Sequence, residues 1–296
     1  MNTLEGKTIG FIGLGLMGKP MCLNLMQAGA GLVVTNRSEK PRLEMSAEGA
    51  AAVATPAEVS SRTDTIVIMV SDTAAVEAVL FGADGVFTTL EPGTLVIDMG
   101  TTAVPATRKF AARIEEKGGH YVDGPVSGGT IGAETGNLTI MAGGSKEAFK
   151  RALPILEVLG GRITHVGTTG AGQVAKAANQ VIVGLNIGAA AEALALAKAA
   201  GVDPGKVREA LKGGFADSRI LEVHGQRMVD NVFTPGAKCT IQRKDLHQAL
   251  ELAASLDLDM PATALSRDLY DRLIAAGGAD LDHAALFTLF DKSEKK

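Results

Sequence analysis

The sequence predicts an α/β fold, in which a doubly wound, mainly parallel sheet is followed by a long connecting helix and an all-helical C-terminal domain. Three observations lead to this prediction. Short β-branched runs alternate with helix-like stretches in the first half of the chain, a glycine-rich turn follows the first run, and the alternation ends near residue 167. Short apolar runs that alternate with helices are typical of βαβ units around a buried parallel sheet.

The strands of this sheet are predicted from short apolar runs. These runs are residues 8–14, 32–37, 65–70, 94–100, 120–126 and 138–143, and a further run at 163–167 is expected to close the sheet. Helical patterns lie between most of them, at residues 17–28, 57–61, 74–80, 105–117 and 146–156. The first domain is therefore predicted to comprise residues 1–166.

The pattern of the sequence changes after the glycine-rich turn at residues 167–172. Residues 173–200 are rich in Ala, Leu and Val and are apolar on every side, as expected of a helix buried in a domain or between domains. Gly184 and Gly188, four residues apart, would let a neighbouring helix approach closely. Further helical patterns follow at residues 204–211, 218–229, 244–254 and 261–276. The second domain is predicted to comprise residues 167–296.

Composition excludes several classes of partner. Hydrophobic residues make up 46% of the 296 residues and charged residues 21%, which is the balance of a soluble globular protein. The 29 Lys and Arg against 33 Asp and Glu give a net charge of −4 without a basic run, which argues against nucleic acid. Polar residues within the apolar segment 174–200 lead us to expect no membrane span. Cys22 and Cys239 are expected to be free thiols, and the N-terminus has no secretory pattern, so a cytoplasmic location is expected.

Two phosphate-loop patterns overlap in the first glycine-rich turn. Gly13, Gly15 and Gly18 form G-x-G-x-x-G, the dinucleotide pattern, and Gly18 with Lys19 also forms most of a Walker A loop. The Walker loop needs a hydroxyl after the lysine to coordinate magnesium, and Pro20 has none. Both loops place backbone N–H groups at a helix N-terminus, facing an anion. The dinucleotide interpretation is preferred, and it predicts a Rossmann-type domain.

The end of the second predicted strand discriminates between the two nicotinamide dinucleotides. An acidic residue there would accept the ribose 2′-hydroxyl of NAD, whereas an arginine accommodates the 2′-phosphate of NADP. This chain has Asn36, Arg37 and Ser38, of which the guanidinium of Arg37 suits a phosphate. NADP is therefore predicted as the preferred cofactor, with NAD possible, although an ordinary polar turn would have the same composition.

Four blocks together resemble the β-hydroxyacid dehydrogenase family. They are "GFIGLGLMGKPM" (10–21), "DGPVSGGTIGAETGNLTIMAGG" (123–144), "GAGQVAKAANQ" (170–180) and "KDLHQALELA" (244–253), and they span nearly the whole chain in order. The stretch "GGFADSRILEVHGQRM" (213–228) most resembles the tartronate semialdehyde reductase branch. The resemblance implies a Rossmann-type domain, a long connecting helix and a helical domain. It also implies an NAD(P)-dependent oxidoreductase that interconverts a small semialdehyde carboxylate and its β-hydroxy acid.

The candidate catalytic group lies at the start of the long helix. Gln173, Lys176, Asn179 and Gln180 are three or four residues apart and therefore share one helix face. A lysine among small apolar residues is partly desolvated, which makes it a usable proton donor to the alkoxide left by hydride transfer. The resemblance assigns that role to Lys176. Many relatives have two asparagines where this chain has Asn179 and Gln180, and we favour Asn179 as the amide that holds the substrate.

The candidate substrate site is the segment "PVSGG". Ser127 offers a hydroxyl, and Gly128 and Gly129 expose N–H groups, a combination that suits a carboxylate. The resemblance assigns the acid group of the substrate to these three residues. A flexible turn would have the same composition, but a hydrolase nucleophile elbow is excluded because G-x-S-x-G is not satisfied around Ser127. Phe215 is expected either to line the substrate pocket or to pack in the core.

The remaining expected contacts are to the cofactor. The full set is Gly13, Leu14, Gly15, Leu16, Met17, Gly18, Asn36, Arg37, Ser38, Val70, Ser71, Thr101 and Lys244. The resemblance implies that Lys244 reaches the cofactor from the helical domain. Ser71 and Gly100 depart from the usual Pro and Ser of relatives. The five histidines have no ligand spacing, so no metal is predicted.

Several functions remain open at this point. The first choice of substrate pair is tartronate semialdehyde and D-glycerate, ahead of glyoxylate, succinic semialdehyde and 3-hydroxyisobutyrate. A cofactor-binding sensor without turnover and an imine reductase share the predicted architecture. Lys176 and the "VSGG" segment favour an acid-bearing carbonyl substrate over both. The apolar helix at 174–200 predicts a homodimer or a homotetramer.

Overall fold

The computed structural model describes residues 3–291. The chain divides into two compact units, Met1–Lys176 and Ala177–Lys296. The first is an α/β unit and the second is helical, so the predicted fold class is confirmed. The domain boundary predicted at residues 166–167 stays a prediction.

The sheet of the first unit is mainly parallel. Its strands are β1 (Thr8–Ile12), β2 (Gly31–Thr35), β3 (Ala51–Ala52), β4 (Thr65–Ile68), β5 (Leu95–Asp98), β6 (His120–Asp123), β7 (Val126–Ser127), β8 (Thr139–Gly144) and β9 (Arg162–Gly167). The order across the sheet is β3-β2-β1-β4-β5-β6-β8-β7, with β9 also paired to β8. The first six strands of this order, from β3 across to β6, are parallel to one another. Strand β8 is antiparallel to β6 and β7, and β9 pairs with β8 and closes the sheet as predicted.

Helices connect these strands. They are α1 (Gly18–Gln27), α2 (Glu39–Ala47), α3 (Pro56–Ser60), α4 (Thr73–Phe81), α5 (Val86–Thr89), α6 (Val104–Glu116), α7 (Gly129–Glu134) and α8 (Lys146–Leu159). Side-chain caps begin several of them: Thr55, Asp72 and Ser145 accept the N–H groups of Glu58, Ala75 and Ala148. Each cap satisfies a backbone donor that the first helical turn leaves without a partner.

Apolar side chains cover both faces of the sheet. In β4, Val67 belongs to one buried cluster, and Ile66 and Ile68 belong to another. Strand β5 divides in the same way, with Ile97 on the first side and Val96 on the second. Because successive side chains of a strand point to opposite faces, two separate clusters mean that helices cover the sheet on both sides.

In the described part of the second unit, up to residue 291, the regular elements are helices. After α9 (Ala171–Ala199), which begins in the first unit, come α10 (Pro204–Leu211), α11 (Arg219–Asp230), α12 (Cys239–Ala254) and α13 (Pro261–Leu273), then a π-helical turn and a 3₁₀ helix (His283–Leu289). A Cβ on Gly184 would lie 3.0 Å from Leu246 of α12, so this glycine permits the predicted close approach of a helix. Gly188 has room for a side chain, since the nearest atom, on Leu286, is 3.9 Å away.

Helix α9 is long and apolar enough, by length and composition alone, to cross a membrane. The expectation that its polar residues exclude a span on composition is therefore wrong. The core helix of a soluble protein passes the same test, and 44% of the most apolar segment of α9 is buried inside the protein. Ile182 and Leu196 of this helix are exposed. Its apolar side chains therefore divide between the interior and an exposed face.

The two cysteines are free and buried. Burial raises the pKa of the Cys22 thiol far above its ordinary value. For Cys239, burial and the nearby charge of Asp282 raise the pKa to about 12. Both thiols are therefore protonated and chemically inert at neutral pH.

Candidate active site

The glycine-rich turn lies between β1 and α1, where β2 and β4 flank β1 on opposite sides. This is the point at which the strand order reverses, where open α/β sheets bind their ligands. A Cβ on Gly13 would clash with the carbonyl oxygen of Met69, and a Cβ on Gly18 would clash with that of Gly13. Gly15 has no atom within 4 Å of its Cβ position. Two glycines thus close the turn and the third leaves open space beside it, which fits a dinucleotide pyrophosphate.

The end of β2 supports this turn. The side-chain oxygen of Asn36 accepts a hydrogen bond from the backbone N–H of Leu14 at 3.0 Å, and its amino group donates to Ser38 O at 3.2 Å. Asn36 therefore holds the glycine-rich turn, a role that the sequence analysis missed. Arg37 is exposed and has no hydrogen bond or ion pair with any residue in the described range 3–291. Its guanidinium is available to an anion.

Lys19 is paired rather than directed at the turn. Its ammonium lies 2.8 Å from a carboxylate oxygen of Glu44 on α2. The hydrogen bond and the charge of Lys19 lower the pKa of Glu44. A Walker loop needs this ammonium at the phosphates, so the ion pair favours the dinucleotide interpretation.

The turns after β4 and β5 lie beside the glycine-rich turn. A Cβ on Gly13 would be 2.9 Å from a side-chain carbon of Val70, and a Cβ on Gly100 would be 3.0 Å from Val70 O. Ser71 donates its hydroxyl to Asp72, the residue that caps α4, at 2.7 Å. Thr101 follows Gly100 directly. The predicted cofactor contacts of the first unit therefore lie together at the carboxyl ends of neighbouring strands.

Lys176 belongs to the same unit and is buried, with 7% of its surface exposed. Its ammonium donates to the carbonyl oxygen of Val126 at 2.8 Å. Val126 precedes Ser127 at the end of β7, and Gly128 and Gly129 follow with φ angles of +133° and +61° that favour glycine. The structure thus brings the candidate proton donor to the candidate substrate segment, about 50 residues away in sequence.

Two buried carboxylates, Asp98 and Asp123, lie at the ends of β5 and β6, and Asp123 contacts the start of α9. Asp123 accepts the backbone N–H groups of Gly170 at 2.8 Å and Gln173 at 2.9 Å. Asp98 accepts from the Thr102 hydroxyl at 2.7 Å and from Tyr121 at 3.1 Å. Burial raises the pKa of Asp98 to about 6, against the opposing effect of these hydrogen bonds, and it also raises the pKa of Asp123. Neither carboxylate was predicted from the sequence as a site residue.

In the helical unit, Asn179 begins a chain of hydrogen bonds. Its amino group donates to Gln180 Oε1 at 2.7 Å, and Gln180 Nε2 donates to Asp245 Oδ2 at 2.6 Å. Lys244 pairs with the other oxygen of Asp245 at 3.2 Å. Gln180 is therefore occupied and buried, which favours the half-buried Asn179 as the amide that meets a substrate. The prediction that the helix of Lys244 and Asp245 begins at residue 244 is wrong, because α12 begins at Cys239.

Phe215 lies in the connection between α10 and α11 and is fully exposed. The alternative that it packs in the core is therefore wrong. Its role in substrate binding stays a prediction.

One group of potential metal ligands forms in the described part of the chain, although the sequence spacing predicted none. His224, Asp282 and His283 bring their ligand atoms within 4.8 Å of one another. The carboxylate of Asp282 already accepts N–H groups of Gly236 at 2.9 Å and Ala284 at 3.0 Å, and Arg227 lies 2.9 Å from it. Burial opposes ionisation, but the neighbouring His224, the charge of His283 and the backbone N–H donors outweigh it, so the pKa of Asp282 is lowered. The arrangement is explained by helix capping and an ion pair.

Comparison with known proteins identifies the family. Residues 8–167 match the model described as the NAD binding domain of 6-phosphogluconate dehydrogenase, and residues 170–290 match the NAD-binding domain of NADP-dependent 3-hydroxyisobutyrate dehydrogenase. The chain belongs to the β-hydroxyacid dehydrogenase family. Members of this family are NAD(P)-dependent oxidoreductases, and this chain is one that acts on a CH–OH group.

Three relatives within the family illustrate its range. The 2-hydroxy-3-oxopropionate reductase of Escherichia coli (strain K12) is 49% identical over 278 residues, which cover 94% of this chain and 95% of the relative. The 2-(hydroxymethyl)glutarate dehydrogenase of Eubacterium barkeri is 35% identical over 96% of this chain and 95% of the relative. The solved Mycobacterium tuberculosis 3-hydroxyisobutyrate dehydrogenase with L-serine is 31% identical, with a TM-score of 0.87 over 96% of this chain and 98% of that one.

Proposed function

We propose that the protein is an NADP(H)-preferring reductase that interconverts a small semialdehyde carboxylate and its β-hydroxy acid, with tartronate semialdehyde and D-glycerate as the first pair. The observation that carries this proposal is the buried ammonium of Lys176, held 2.8 Å from Val126 O beside Ser127. The 49% identity to a protein named 2-hydroxy-3-oxopropionate reductase supports the choice of substrate. Glyoxylate, succinic semialdehyde and methylmalonate semialdehyde are the alternatives.

The reaction needs a proton at the carbonyl oxygen of the substrate. When bound, the reduced nicotinamide supplies a hydride to the aldehyde carbon, which leaves negative charge on the oxygen. Lys176 stabilises that charge and donates the proton, and in the reverse direction the same side chain removes the proton from the hydroxyl. The hydrogen bond to Val126 O limits the positions that the ammonium can adopt, so the donor is oriented before the substrate arrives.

The substrate acid group is assigned to Ser127, Gly128 and Gly129. Gly129 has no atom within 4 Å of its Cβ position, so its backbone is accessible to a carboxylate. The segment directly follows Val126, which holds Lys176. A short substrate would thus have its acid group and its reacting oxygen addressed from one stretch of chain, in agreement with a three- or four-carbon semialdehyde. Asn179, three residues after Lys176 on α9, is assigned to hold the substrate.

The preference for NADP rests on the end of β2. Asn36 presents no carboxylate to repel a 2′-phosphate, and the exposed guanidinium of Arg37 offers a bidentate partner. Arg37→Ala is expected to lower kcat/KM with NADPH about tenfold or more while NADH is little affected. Arg62→Ala, at another exposed arginine, is the matched control. Equal use of NADH and NADPH by the unaltered enzyme would contradict the assignment.

The decisive experiment measures NADPH absorbance decay with tartronate semialdehyde, glyoxylate, succinic semialdehyde and methylmalonate semialdehyde. Lys176→Met is expected to lower kcat at least about a hundredfold with NADPH still bound, because it removes the proton donor without adding bulk. Lys109→Met, at an exposed lysine of α6, should leave kcat unchanged. NADPH binding without turnover on any short oxo-acid would instead favour the sensor.

The assembly and location of the protein are part of the same proposal. A homodimer or homotetramer is supported by the exposed apolar side chains of Ile182 and Leu196 on α9, which are 60% and 71% exposed. A cytoplasmic location is supported by the two free, buried thiols, which suit a reducing compartment.

A further inference from the structure

Gln173 lies one helical turn before Lys176 on α9 and is 2% exposed. Its carboxamide is used at both ends by one short segment of backbone. The side-chain oxygen accepts the N–H of Thr102 at 3.1 Å, and the side-chain nitrogen donates to Gly100 O at 2.9 Å. The two hydrogen bonds bracket Thr101, which the sequence places at the cofactor. The carboxamide therefore satisfies one backbone N–H and one backbone carbonyl of residues 100–102, as a paired strand would.

The backbone of Gln173 is fixed as firmly as its side chain. Its N–H donates to Asp123 Oδ2 at 2.9 Å, while Gly170 N–H donates to Asp123 Oδ1 at 2.8 Å. A Cβ on Gly172 would lie 2.6 Å from Asp123 O, and a Cβ on Gly143 would lie 2.7 Å from Gly172 N. The first turn of α9 therefore sits directly on the ends of β6 and β8, with no space in which to shift.

Residues 100–102 are also held from the side opposite Gln173. Asp98 accepts the N–H of Gly100 at 3.0 Å and the hydroxyl of Thr102 at 2.7 Å. Residues 100–102 are thus gripped from the strand side by Asp98 and from the helix side by Gln173. One turn beyond Gln173, Lys176 donates to Val126 O. Gln173 is the side chain that connects the turn expected at the nicotinamide with the helix that carries the proton donor.

We propose that Gln173 is a positioning residue that fixes the distance between the Thr101 turn and the ammonium of Lys176. The inference rests on the proposed role of Lys176. Hydride and proton must arrive at adjacent atoms of one carbonyl group, and an error of about 1 Å in such an arrangement costs about a hundredfold in rate. Lysine position and cofactor position are therefore set by one carboxamide rather than independently.

The first test is Gln173→Met, which removes both hydrogen bonds at similar volume. We expect kcat to fall about ten- to a hundredfold, while the dissociation constant of NADPH changes less than about threefold. Thr89→Val is the control, because it removes a hydrogen bond to Ala57 O in the same unit, remote from the turn. A loss confined to NADPH affinity, with kcat unchanged, would overturn the proposal, since Gln173 would then only shape the cofactor site.

The second test is Gln173→Glu. A protonated glutamic acid has one acceptor and one donor, as glutamine has, whereas the carboxylate has no donor for Gly100 O. Activity relative to the unaltered enzyme should therefore return on acidification as a single proton binds, and Gln173→Met should show no such recovery. Asp98, Tyr121, Asp123 and Lys176 are the ionisable groups of the same cluster, and Gln173→Met, which keeps all four and adds no carboxyl group, is the reference for their titration. Parallel pH profiles for the Glu and Met variants would overturn the positioning role of Gln173.

Hydrogen exchange separates this proposal from the proposed function. Gln173→Met should increase amide exchange in residues 98–104, because Thr102 N–H loses its acceptor, and Thr89→Val should not. If the unaltered protein turns over no semialdehyde, the proposed function fails. Amide hydrogen exchange alone then tests whether Gln173 holds residues 100–102. Unchanged exchange in residues 98–104 would then overturn this role.

Discussion

The three glycines of the dinucleotide turn act in different ways at the scale of single residues. Gly13 and Gly18 are required by the fold, because a Cβ at either position would clash with a backbone carbonyl oxygen of the turn or of Met69. Gly15 has open space where its side chain would be. We therefore expect its requirement for glycine to come from the ligand rather than from the protein.

This difference predicts opposite phenotypes for two alanine substitutions. Gly15→Ala should leave the thermal unfolding midpoint within about 1 °C and weaken NADPH binding at least about tenfold, because the added methyl group occupies the space that the pyrophosphate needs. Gly18→Ala should lower the unfolding midpoint by several degrees, since the turn must open. Calorimetry and NADPH titration of both variants check the prediction. Strong destabilisation by Gly15→Ala would contradict it.

At the scale of secondary-structure elements, α9 and α12 are connected by a chain of polar side chains. Asp245 accepts from Gln180, and Gln180 accepts from Asn179, so the carboxylate determines which way each amide points. A carboxylate has no donor, and it therefore selects the amino end of Gln180. The side chain of Gln180 is long enough to reach this carboxylate.

The chain predicts coupling between Gln180 and Asp245. Gln180→Leu leaves the buried carboxylate without its neutral donor and should lower the free energy of unfolding by about 1–3 kcal/mol. In Gln180→Leu/Asp245→Asn the second change removes that charge, so the loss should be smaller than the sum of the single losses. Urea unfolding of the two single variants and the double variant measures the coupling. Additive losses would show that the two side chains act independently.

The strand end at Asp98 predicts a pH dependence of stability. Its pKa is raised from 3.8 to about 6, so the folded protein binds a proton more tightly than the unfolded chain. The stabilisation from this proton is complete below pH 3.8 and is lost as the pH rises through about 6. About 1.4 kcal/mol per pKa unit gives a change of roughly 3 kcal/mol. Urea unfolding is measured for the unaltered protein and for Asp98→Asn from about pH 4.5 to about pH 7.5. As the pH rises, the difference in the free energy of unfolding between the two proteins should shift in favour of Asp98→Asn. A constant difference would contradict the assignment.

At the scale of the whole molecule, each unit has its own core, and α9 contributes apolar side chains to the core of the helical unit. The exposed apolar residues of this helix are unusual for a monomer, because Leu196 is 71% exposed within an otherwise apolar segment. Self-association would cover such a face.

This face predicts a change of assembly on charge insertion. Leu196→Glu should shift the protein toward a smaller species in sedimentation velocity, because a carboxylate cannot be buried in an apolar interface without a partner. Leu43→Glu, at an exposed leucine of α2, is the control and should leave the sedimentation coefficient unchanged. The same coefficient for Leu196→Glu and the unaltered protein would place the subunit contact elsewhere.

Periodicity predicted most of the fold but only part of the candidate site. The sheet was readable from its short β-branched runs, the long helix from its apolar composition, and the helical unit from helical patterns separated by turn residues. Helix α2 was missed because "EKPRLEMSA" contains Pro41 and buries only Met45, so it has little amphipathic pattern. Helix α7 was missed because it begins with glycine and is short.

The site residues that sequence reasoning missed are those that act through other residues. Asp98 and Asp123 end neighbouring strands, which is a visible signal, but their partners Tyr121 and Gln173 are distant in sequence. Gln173 was recognised as part of the helix face, yet its function depends on Gly100 and Thr102, which no spacing rule connects to it. Long-range contacts of this kind follow from the three-dimensional packing and leave no local pattern.

The two sealed thiols have a practical consequence for following this protein in solution. A maleimide reacts with thiolates, and neither Cys22 nor Cys239 forms one near neutrality or faces the solvent. A dye or spin label would therefore attach only to a cysteine introduced by design. Replacing the outward-facing Phe215 in this way would give a single reporter on the connection between α10 and α11, in an otherwise unmodified chain.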